Sequence, residues 1–171
     1  EIAEFLGWYA GDGCLNVNNR YSEFTLTGDL IEEHSFYEEI ILPTFNRLFS
    51  RLLKKKIILK RYKSNGVCGI YIFDKKFSQY LINTLKFRKG KKIDIGISKL
   101  IRNKDQKINF LRGLFDTDGS IYFGKSNFKT KKKSYFTILH YKPKIGLSTI
   151  SKNLIDGVYQ ILKKLNFDPI Y

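Results

Sequence analysis

The sequence predicts an α+β protein made of two related halves, and three observations support this prediction. A segment near the start of the chain is repeated beyond its middle. Amphipathic helical patterns alternate with pairs of short strand patterns, and turn residues separate the paired strands. The order helix, strand, strand, helix, strand, strand, helix therefore describes the first half, and the second half begins in the same way.

The repeat relates residues 3–13 to residues 109–119 at a constant offset of 106. Three positions are shared, namely Gly7 and Gly113, Asp12 and Asp118, and Gly13 and Gly119. Each copy predicts a short helix with a broad apolar face. The residues of this face are Phe5, Leu6, Trp8 and Tyr9 in the first copy and Phe110, Leu111, Leu114 and Phe115 in the second.

A second stripe on each predicted helix carries small or short residues four positions apart. Its members are Ala3, Gly7 and Gly11 in the first copy and Asn109, Gly113 and Thr117 in the second. Glycine inside a helix costs about 1 kcal/mol relative to alanine, so the two glycines of the first helix need a compensating contact. Small residues at this spacing let two helix backbones approach closely, and we therefore expect the repeated helices to pack against each other.

Both predicted helices end in Asp-Gly. We expect Gly13 and Gly119 to adopt the left-handed conformation that stops a helix. A carboxylate at this end is disfavoured by about 0.3–1 kcal/mol, because it faces the negative end of the helix dipole. Helices packed side by side would bring Asp12 and Asp118 together, and hard divalent cations bind carboxylate oxygens. The repeat thus predicts a pair of cation sites.

The charge of the chain indicates a polyanionic partner. Lys and Arg number 31 against 16 Asp and Glu, which gives a net charge of +15 over 171 residues. Nucleic acid is the first partner to expect from such an excess. Codon bias is the alternative, because AT-rich genes favour lysine, and it would scatter the lysines without regard to structure.

Other classes of protein are disfavoured by the sequence. No apolar run is long enough to span a bilayer and no secretory signal is visible, so we expect an intracellular protein, in the cytoplasm or nucleoid of a prokaryote or in an organelle. Zinc is not expected, because Cys14, Cys68, His34 and His140 lack the spacing of zinc ligands. The chain begins at Glu1 and contains no methionine, which predicts trimming at the N-terminus.

The elements of the first half follow from its apolar and turn patterns. Asp29 is expected to cap a long helix that Pro43 kinks or divides. The predicted ranges are strands Cys14–Val17 and Ser22–Thr27, helix 30–50, strands Ile57–Tyr62 and Val67–Phe73, and helix Lys75–Leu85. The predicted buried face of the long helix is Ile31, Phe36, Tyr37, Ile40, Ile41, Phe45, Leu48 and Phe49. Its predicted exposed acidic face is Glu32, Glu33, Glu38 and Glu39.

The predicted domains are a first half (1–85), a basic linker (86–107) and a second half (108–171). Beyond its repeated helix, the second half is predicted to contain strand Ser120–Gly124, extended segments Tyr135–Tyr141 and Lys144–Thr149, and a helix over 152–165. The segment Leu147–Thr149 resembles Leu26–Gly28 at an offset of 121, so the second half has about fifteen extra residues in its first hairpin. A complete duplicate would continue with another hairpin and helix, and we therefore expect the second half to be incomplete.

With Gly, Asp and Gly at one spacing in each copy, the repeated segments resemble the two motifs of LAGLIDADG homing endonucleases. The resemblance covers nearly the whole chain and implies a pseudo-symmetric monomer of duplicated αββαββα halves, whose antiparallel sheets form a saddle over the DNA major groove. It implies that Asp12 and Asp118 are catalytic and bind the metals, helped by the main-chain carbonyls of Gly11 and Thr117. The implied cation is Mg²⁺ or Mn²⁺, with Ca²⁺ as a non-catalytic substitute.

The resemblance also implies cleavage of double-stranded DNA at a long recognition site, with short 3′ overhangs. Family enzymes place a lysine near each catalytic site. Lys91 or Lys92 resembles that position, and we choose Lys92, while the second lysine would lie beyond Tyr171. The residues expected to contact DNA are Arg20, Lys60, Arg61, Lys63, Lys125, Lys142 and Lys144.

Two other functions fit the same resemblance. A non-cleaving nucleic-acid-binding module, such as an intron RNA splicing maturase, would use the fold to grip RNA. The endonuclease insert of an intein would share the chemistry of an intron-associated enzyme, and only the flanking sequence separates the two. The presence of both aspartates favours cleavage, because a pure binding protein has no need for two acids beside phosphates.

Overall fold

The structure is a computed structural model that describes residues 1–90, 92–129 and 135–171, with only the backbone of 126–129 and 135–140. The first half consists of α1 (Ile2–Gly11), β1 (Gly13–Val17), β2 (Ser22–Asp29), α2 (His34–Phe36), a π-helical turn (Tyr37–Ile41), α3 (Leu42–Leu53), β3 (Lys60–Tyr62), β4 (Val67–Ile72) and α4 (Lys75–Asn83). The second half consists of α5 (Lys104–Asp118), β5 (Gly119–Lys129), β6 (Tyr135–Leu147) and α6 (Lys152–Lys164). The predicted α+β class is confirmed, and none of the described helices is long and apolar enough to cross a membrane.

Two antiparallel sheets follow the repeated helices. The first has four strands in the order β1-β2-β4-β3, and the second contains β5 and β6. Gly13 pairs with Leu26 in the first sheet and Gly119 pairs with Leu147 in the second, so both hairpins start from the repeated glycine. The second hairpin is longer and has a register shift between Phe123 and Lys125.

The glycines of α1 and α5 allow direct backbone contact between the two helices. A methyl group added at Gly7 would lie 2.7 Å from the Leu114 nitrogen, and one added at Gly113 would lie 3.2 Å from the Glu4 Cα. Such distances are shorter than van der Waals contact, so neither position has room for a larger side chain. The predicted close packing of the two helices is present in the structure.

The core of the first half is aromatic and extends into the linker. Phe5, Phe24 and Phe45 are fully buried, and the rings of Phe5 and Phe24 lie 6.0 Å apart. The linker is anchored to this core because the ring of Phe87 stacks on that of Tyr9 at 3.7 Å. The repeated helix of the second half starts before the predicted end of the linker, since a capping box at Asn103 begins α5 at Lys104. The division at residues 85 and 107 stays a prediction.

The long helix of the first half differs from its prediction. It begins at His34 rather than near residue 30, and residues 30–33 form a turn in which the Asp29 carboxylate accepts hydrogen bonds from the amides of Ile31 and Glu32. Ile31 is therefore 90% exposed. The π-helical turn adds a residue to the turn before Pro43 and rotates Ile40 outward, where it is 45% exposed. The prediction that both isoleucines are buried was wrong.

Two further predictions need correction. Only Lys60–Tyr62 of the predicted strand 57–62 is paired, whereas β5 and β6 are each longer than expected. Gly119 has an extended conformation, with φ of −77°, and Gly13 is not among the glycines of positive φ. Both are needed for space instead, because a methyl group would lie 2.7 Å from the Tyr9 Cα at Gly13 and 2.9 Å from the Phe115 Cα at Gly119.

Candidate functional site

The candidate site lies where the C-terminal ends of α1 and α5 meet. Asp12 caps α1 and Asp118 is the last residue of α5. A methyl group added at Gly11 would lie 3.3 Å from Asp118 Cγ and 2.9 Å from Thr117 Cβ, so the two helix ends are in contact. The structure thus brings together the two carboxylates that the repeat singled out.

The Asp12 carboxyl group has a strongly perturbed pKa. Burial raises the pKa of Asp12 to about 6, and the nearby carboxylates of Glu33 and Asp118 add to this effect against a hydrogen bond from Tyr37. Burial also raises the pKa of Asp118, while the charge of Lys92 lowers it. Negative charge at the site is therefore incompletely compensated, which is the condition under which a cation binds.

Lys92 provides the positive charge between the aspartates. Its ammonium group donates hydrogen bonds to the main-chain carbonyls of Gly11 and Ala10, the latter at 3.2 Å. Burial lowers the pKa of Lys92, whereas Asp118 and Asp12 raise it. The lysine predicted for catalysis is thus positioned beside both carboxylates, while Lys91 lies outside the described residues.

The two main-chain carbonyls predicted to bind metal have different surroundings. The Gly11 carbonyl accepts the Lys92 hydrogen bond, so a cation at this oxygen would have to displace the lysine. The Thr117 hydroxyl donates to the carbonyls of Gly113 and Leu114, both at 3.1 Å, and is therefore turned back along α5. Among the described hydrogen bonds outside the helices and strands, none is accepted by the main-chain carbonyl of Thr117.

The donor set fits a hard divalent cation. Among the residues that the structure describes, no group of three or more His, Cys, Asp or Glu side chains is placed to hold a metal ion. Two carboxylates with main-chain carbonyls leave open positions for water and phosphate oxygens, as Mg²⁺ requires. Cys14 is the nearest cysteine, two residues after Asp12, but the two repeated ligands are carboxylates, which suit a hard cation rather than a softer metal.

Sequence reasoning missed Tyr37 as a site residue and assigned it only to the core. Its hydroxyl donates a hydrogen bond to Asp12 Oδ2 at 2.9 Å. Burial raises the pKa of Tyr37, and the charge of Asp12 raises it further, so the phenol stays protonated. The available signal was general: a buried tyrosine hydroxyl needs a partner, which the sequence alone does not identify.

The outer face of the four-stranded sheet, opposite its helices, carries Lys60. Phe24 and Leu26 of β2 are buried, so their neighbour Thr25 points to the outer face. Strand pairing puts Lys60 on this face as well, and its ammonium lies 5.7 Å from the ring centre of Tyr71. Residues of this face are Cys14, Asn16, Glu23, Thr25, Thr27, Lys60, Tyr62 and Tyr71.

Arg61 is separated from Lys60. It points to the helical side of the sheet, where its guanidinium group pairs with Glu38 at 2.9 Å. Arg20 and Lys63 lie exposed in turns at the ends of strands. On the second sheet, Lys144 pairs with Tyr122, and Lys142 lies on β6 opposite the register shift.

Lys125 follows the register shift of β5 and is exposed. The shift interrupts the alternation along the strand, so Lys125 is not assigned to the face of Lys144. The seven residues predicted to contact DNA thus lie in paired strands (Lys60, Lys144), in turns (Arg20, Lys63), on the helical side (Arg61) and at the register shift (Lys125, Lys142).

Comparisons with known proteins agree with this architecture. Residues 105–170 match the family model of the LAGLIDADG-like domain. A structure of mesophilic variants of the homing endonuclease I-DmoI is similar with a TM-score of 0.56 and 16% identity, covering 96% of this chain and 71% of that one. The LAGLIDADG meganuclease I-AabMI bound to uncleaved DNA has a TM-score of 0.55 and 10% identity, covering 100% and 74%.

A curated relative shares more sequence. The replication factor C small subunit of Methanocaldococcus jannaschii is 32% identical over 165 residues, which are 95% of this chain and 7% of that protein. The chain therefore spans only a small part of this relative.

Two packed helices, each ending in an aspartate and leading into an antiparallel sheet, define the LAGLIDADG fold in its two-motif form. The family model matches the second half, at residues 105–170, and the fold is shared by nearly the whole chain.

Proposed function

We propose that the protein is a site-specific, divalent-metal-dependent endonuclease that cuts both strands of DNA as a pseudo-symmetric monomer and leaves short 3′ overhangs. The observation that carries this proposal is the meeting of Asp12 and Asp118 at adjacent helix ends, with Lys92 between them. A binding protein gains nothing from two buried acids beside a phosphate backbone, since they repel it.

The residues of the site have separate roles in this proposal. Asp12 and Asp118 hold Mg²⁺ or Mn²⁺ with the carbonyls of Gly11 and Thr117, and Ca²⁺ would bind without supporting cleavage. The bound cation supplies Lewis-acid polarisation of the phosphate and a water of lowered pKa. Lys92 neutralises charge that develops on the phosphate, and its lowered pKa lets it exchange a proton more readily than an exposed lysine.

Several basic residues would hold the duplex. Lys60 lies on a sheet face, Lys142 and Lys144 lie on strand β6, and a two-stranded ribbon fits the major groove. Arg20, Lys63 and Lys125 extend this surface from turns and from the strand beyond the register shift. Arg61 is the weakest of the proposed contacts, because Glu38 already pairs with it. DNA complexes of I-DmoI and I-AabMI support double-stranded DNA as the partner.

Cleavage of a plasmid library with randomised target sites tests the proposal. In Mg²⁺ the wild-type protein is expected to linearise a defined subset of plasmids, and Ca²⁺ is expected to support binding alone. Asp12→Asn and Asp118→Asn are each expected to slow cleavage by about 10³-fold, the size of effect seen when one electrostatic contact to a transition state is lost. Cleavage that is indifferent to both substitutions would contradict the assignment.

The alternative function is a non-cleaving module that binds structured RNA, such as a maturase. The excess of 31 Lys and Arg over 16 Asp and Glu fits this alternative, because a basic protein binds the phosphates of RNA as well as those of DNA. Binding to duplex DNA and to intron RNA over a salt series separates the two. Both functions require steep salt dependence, but only the endonuclease is expected to prefer one duplex sequence.

We also propose that the protein is carried as an insert in a longer polypeptide or gene, as in an intein or intron. The segment that matches this chain makes up 7% of the curated relative's length, as expected for an inserted segment. Sequencing the flanking gene tests this origin: flanks that encode no interrupted host protein or host gene would contradict it.

A further inference from the structure

We propose that Tyr37 is a positioning residue that holds the Asp12 carboxylate and makes the two cleavage sites unequal. This inference rests on the proposed function, because it concerns the same two aspartates. Its basis is the hydrogen bond from the Tyr37 hydroxyl to Asp12 Oδ2 at 2.9 Å, made by a fully buried ring. A rigid, buried phenol restricts where the oxygen that accepts its hydrogen bond lies.

Two local features bring the hydroxyl to Asp12. Tyr37 begins the π-helical turn, a rare element that is frequent at functional sites. Its ring lies against Gly28 of β2, where an added methyl group would meet the Glu33 carboxylate and would come 2.6 Å from Tyr37 Cε2. Gly28 does not have a positive φ, so the space for the ring, rather than the backbone conformation, requires glycine there.

The second half is built differently at the matching position. Leu26 and Leu147 are equivalent, because each pairs with the repeated glycine of its own half. Two residues further along each chain segment, Gly28 corresponds to Thr149, which carries a side chain. Thr149 lines a shallow cavity together with Asp118. The space used by the tyrosine ring in the first half is therefore not reproduced beside Asp118.

No tyrosine occupies the matching position of α6 either, and the neighbouring Tyr159 packs against Tyr171 with ring centroids 5.7 Å apart. The counterpart of Tyr37 is Val158 by the strand count, or Ile155 if the first residues of α2 and α6 are aligned. Neither side chain can donate a hydrogen bond. Within the described part of the chain, the Asp118 carboxylate thus has the charge of Lys92 nearby but no phenol.

The consequence is a difference between the two DNA strands. A carboxylate that is already fixed loses less freedom when it binds a cation, so its site is preorganised. The strand cut with Asp12 therefore depends on Tyr37, and the strand cut with Asp118 does not. Losing the hydroxyl would turn a double-strand cut into an accumulation of nicked duplex.

Strand-resolved kinetics of Tyr37→Phe test this inference. The target duplex selected from the plasmid library is labelled separately on each strand and cut under single-turnover conditions. One strand is expected to slow about tenfold and the other less than about twofold, because residues that orient a metal ligand contribute about 10–100-fold. Equal slowing of both strands, or no slowing, would overturn the inference.

Tyr9→Phe is the matched control. It also removes a buried phenol hydroxyl, which donates to the main-chain carbonyl of Arg88 at 2.7 Å. Any shift of the linker would move Lys92, which lies beside both aspartates and so would alter both strand rates alike. This variant is therefore expected to leave the ratio of the two strand rates unchanged. A strand preference in Tyr9→Phe equal to that in Tyr37→Phe would overturn the assignment.

A cation titration gives a readout that needs no cleavable target. Ca²⁺ is titrated calorimetrically into the free wild-type protein, Tyr37→Phe, Asp12→Asn and the double variant. Tyr37→Phe is expected to weaken one site about tenfold, and to have no further effect in the Asp12→Asn background. If the wild type cuts no plasmid, the proposed nuclease function fails while this titration still tests Tyr37. Unchanged Ca²⁺ binding by Tyr37→Phe would overturn the inference.

A second variant covers the case in which Tyr37→Phe does not fold. Gly28→Ala keeps the hydroxyl but crowds the ring at Cε2, together with the flexible Glu33 carboxylate. It is expected to slow the same strand and to weaken the same Ca²⁺ site. Slowing of the other strand would overturn the inference.

Discussion

Lys92 donates a hydrogen bond to the main-chain carbonyl of Gly11, and this contact ties the linker to the last turn of α1. The ammonium group lies close enough to both Asp12 and Asp118 for each carboxylate to raise its pKa. A residue between the two halves therefore completes the charge balance of a site that both halves build.

Removal of this ammonium group is expected to impair cleavage more than cation binding. Lys92→Met keeps an apolar stem but leaves both carboxylates without their shared counter-charge. We expect cleavage to slow by about 10²-fold, as for the loss of a group that transfers a proton or neutralises charge. Ca²⁺ affinity should stay equal or rise, because a competing cation is gone. Lys89→Met, an exposed lysine of the same linker, is the control for net charge. Equal rates for the two variants would contradict the role of Lys92.

The helix contact is expected to tolerate no added volume. Gly7→Ala places a methyl group 2.7 Å from the Leu114 nitrogen and 2.9 Å from the Gly113 carbonyl carbon. The resulting separation of the helices should lower the free energy of unfolding by about 1–3 kcal/mol, despite a gain of about 1 kcal/mol in helix propensity. Urea unfolding measures this change.

Gly96→Ala is the control, because its methyl group would meet only Asn153 Cβ at 3.8 Å. We expect it to leave stability within about 0.5 kcal/mol of wild type. A Gly7→Ala protein as stable as Gly96→Ala would show that the helices can move apart freely.

The repeat made the contact between α1 and α5 predictable, whereas the surroundings of Asp12 could not be predicted from the sequence. Glycines at matching positions constrain two helices at once, so Gly7 and Gly113 identify each other in the sequence. The approach of Tyr37 to Asp12 depends on a π-helical turn and on the gap at Gly28, and apolar periodicity carries no information about either. The same turn explains the wrong placement of Ile40.

Lys60 and Arg61 were predicted to lie together on the DNA-binding sheet faces, although they are neighbours on one strand. Neighbouring residues on a strand point to opposite faces, so only one of the two can share a face with Thr25. Which one does so depends on the register with β4, and the sequence does not fix that register. Strand pairing was needed to place Lys60 on the outer face.

The raised pKa of Asp12 predicts a pH dependence of stability in the metal-free protein. Its pKa is raised from 3.8 to about 6 on folding, so between these values the folded state binds more protons than the unfolded state. The contribution of Asp12 to the free energy of unfolding therefore falls as pH rises from about 4 to about 6, by at most about 3 kcal/mol. Asp12→Asn removes this pH dependence, and its free energy of unfolding should rise relative to that of wild type over this range. Urea unfolding at about pH 4.5 and about pH 7 measures it. A stability difference that does not change with pH would contradict the assignment.

The salt dependence of DNA binding is expected to distinguish Lys60 from Arg61. Each phosphate contact that is lost lowers the slope of log K against log salt by about 1. Lys60→Gln removes an ammonium group from the outer face and should reduce the slope by that amount, and Lys144→Gln should do the same on the second sheet. Arg61→Gln changes the net charge equally but removes a guanidinium group held by Glu38 on the helical side, so its slope should stay near that of wild type. Because net charge is matched, a slope for Arg61→Gln as low as that for Lys60→Gln would mean that overall charge, rather than the outer face, determines binding.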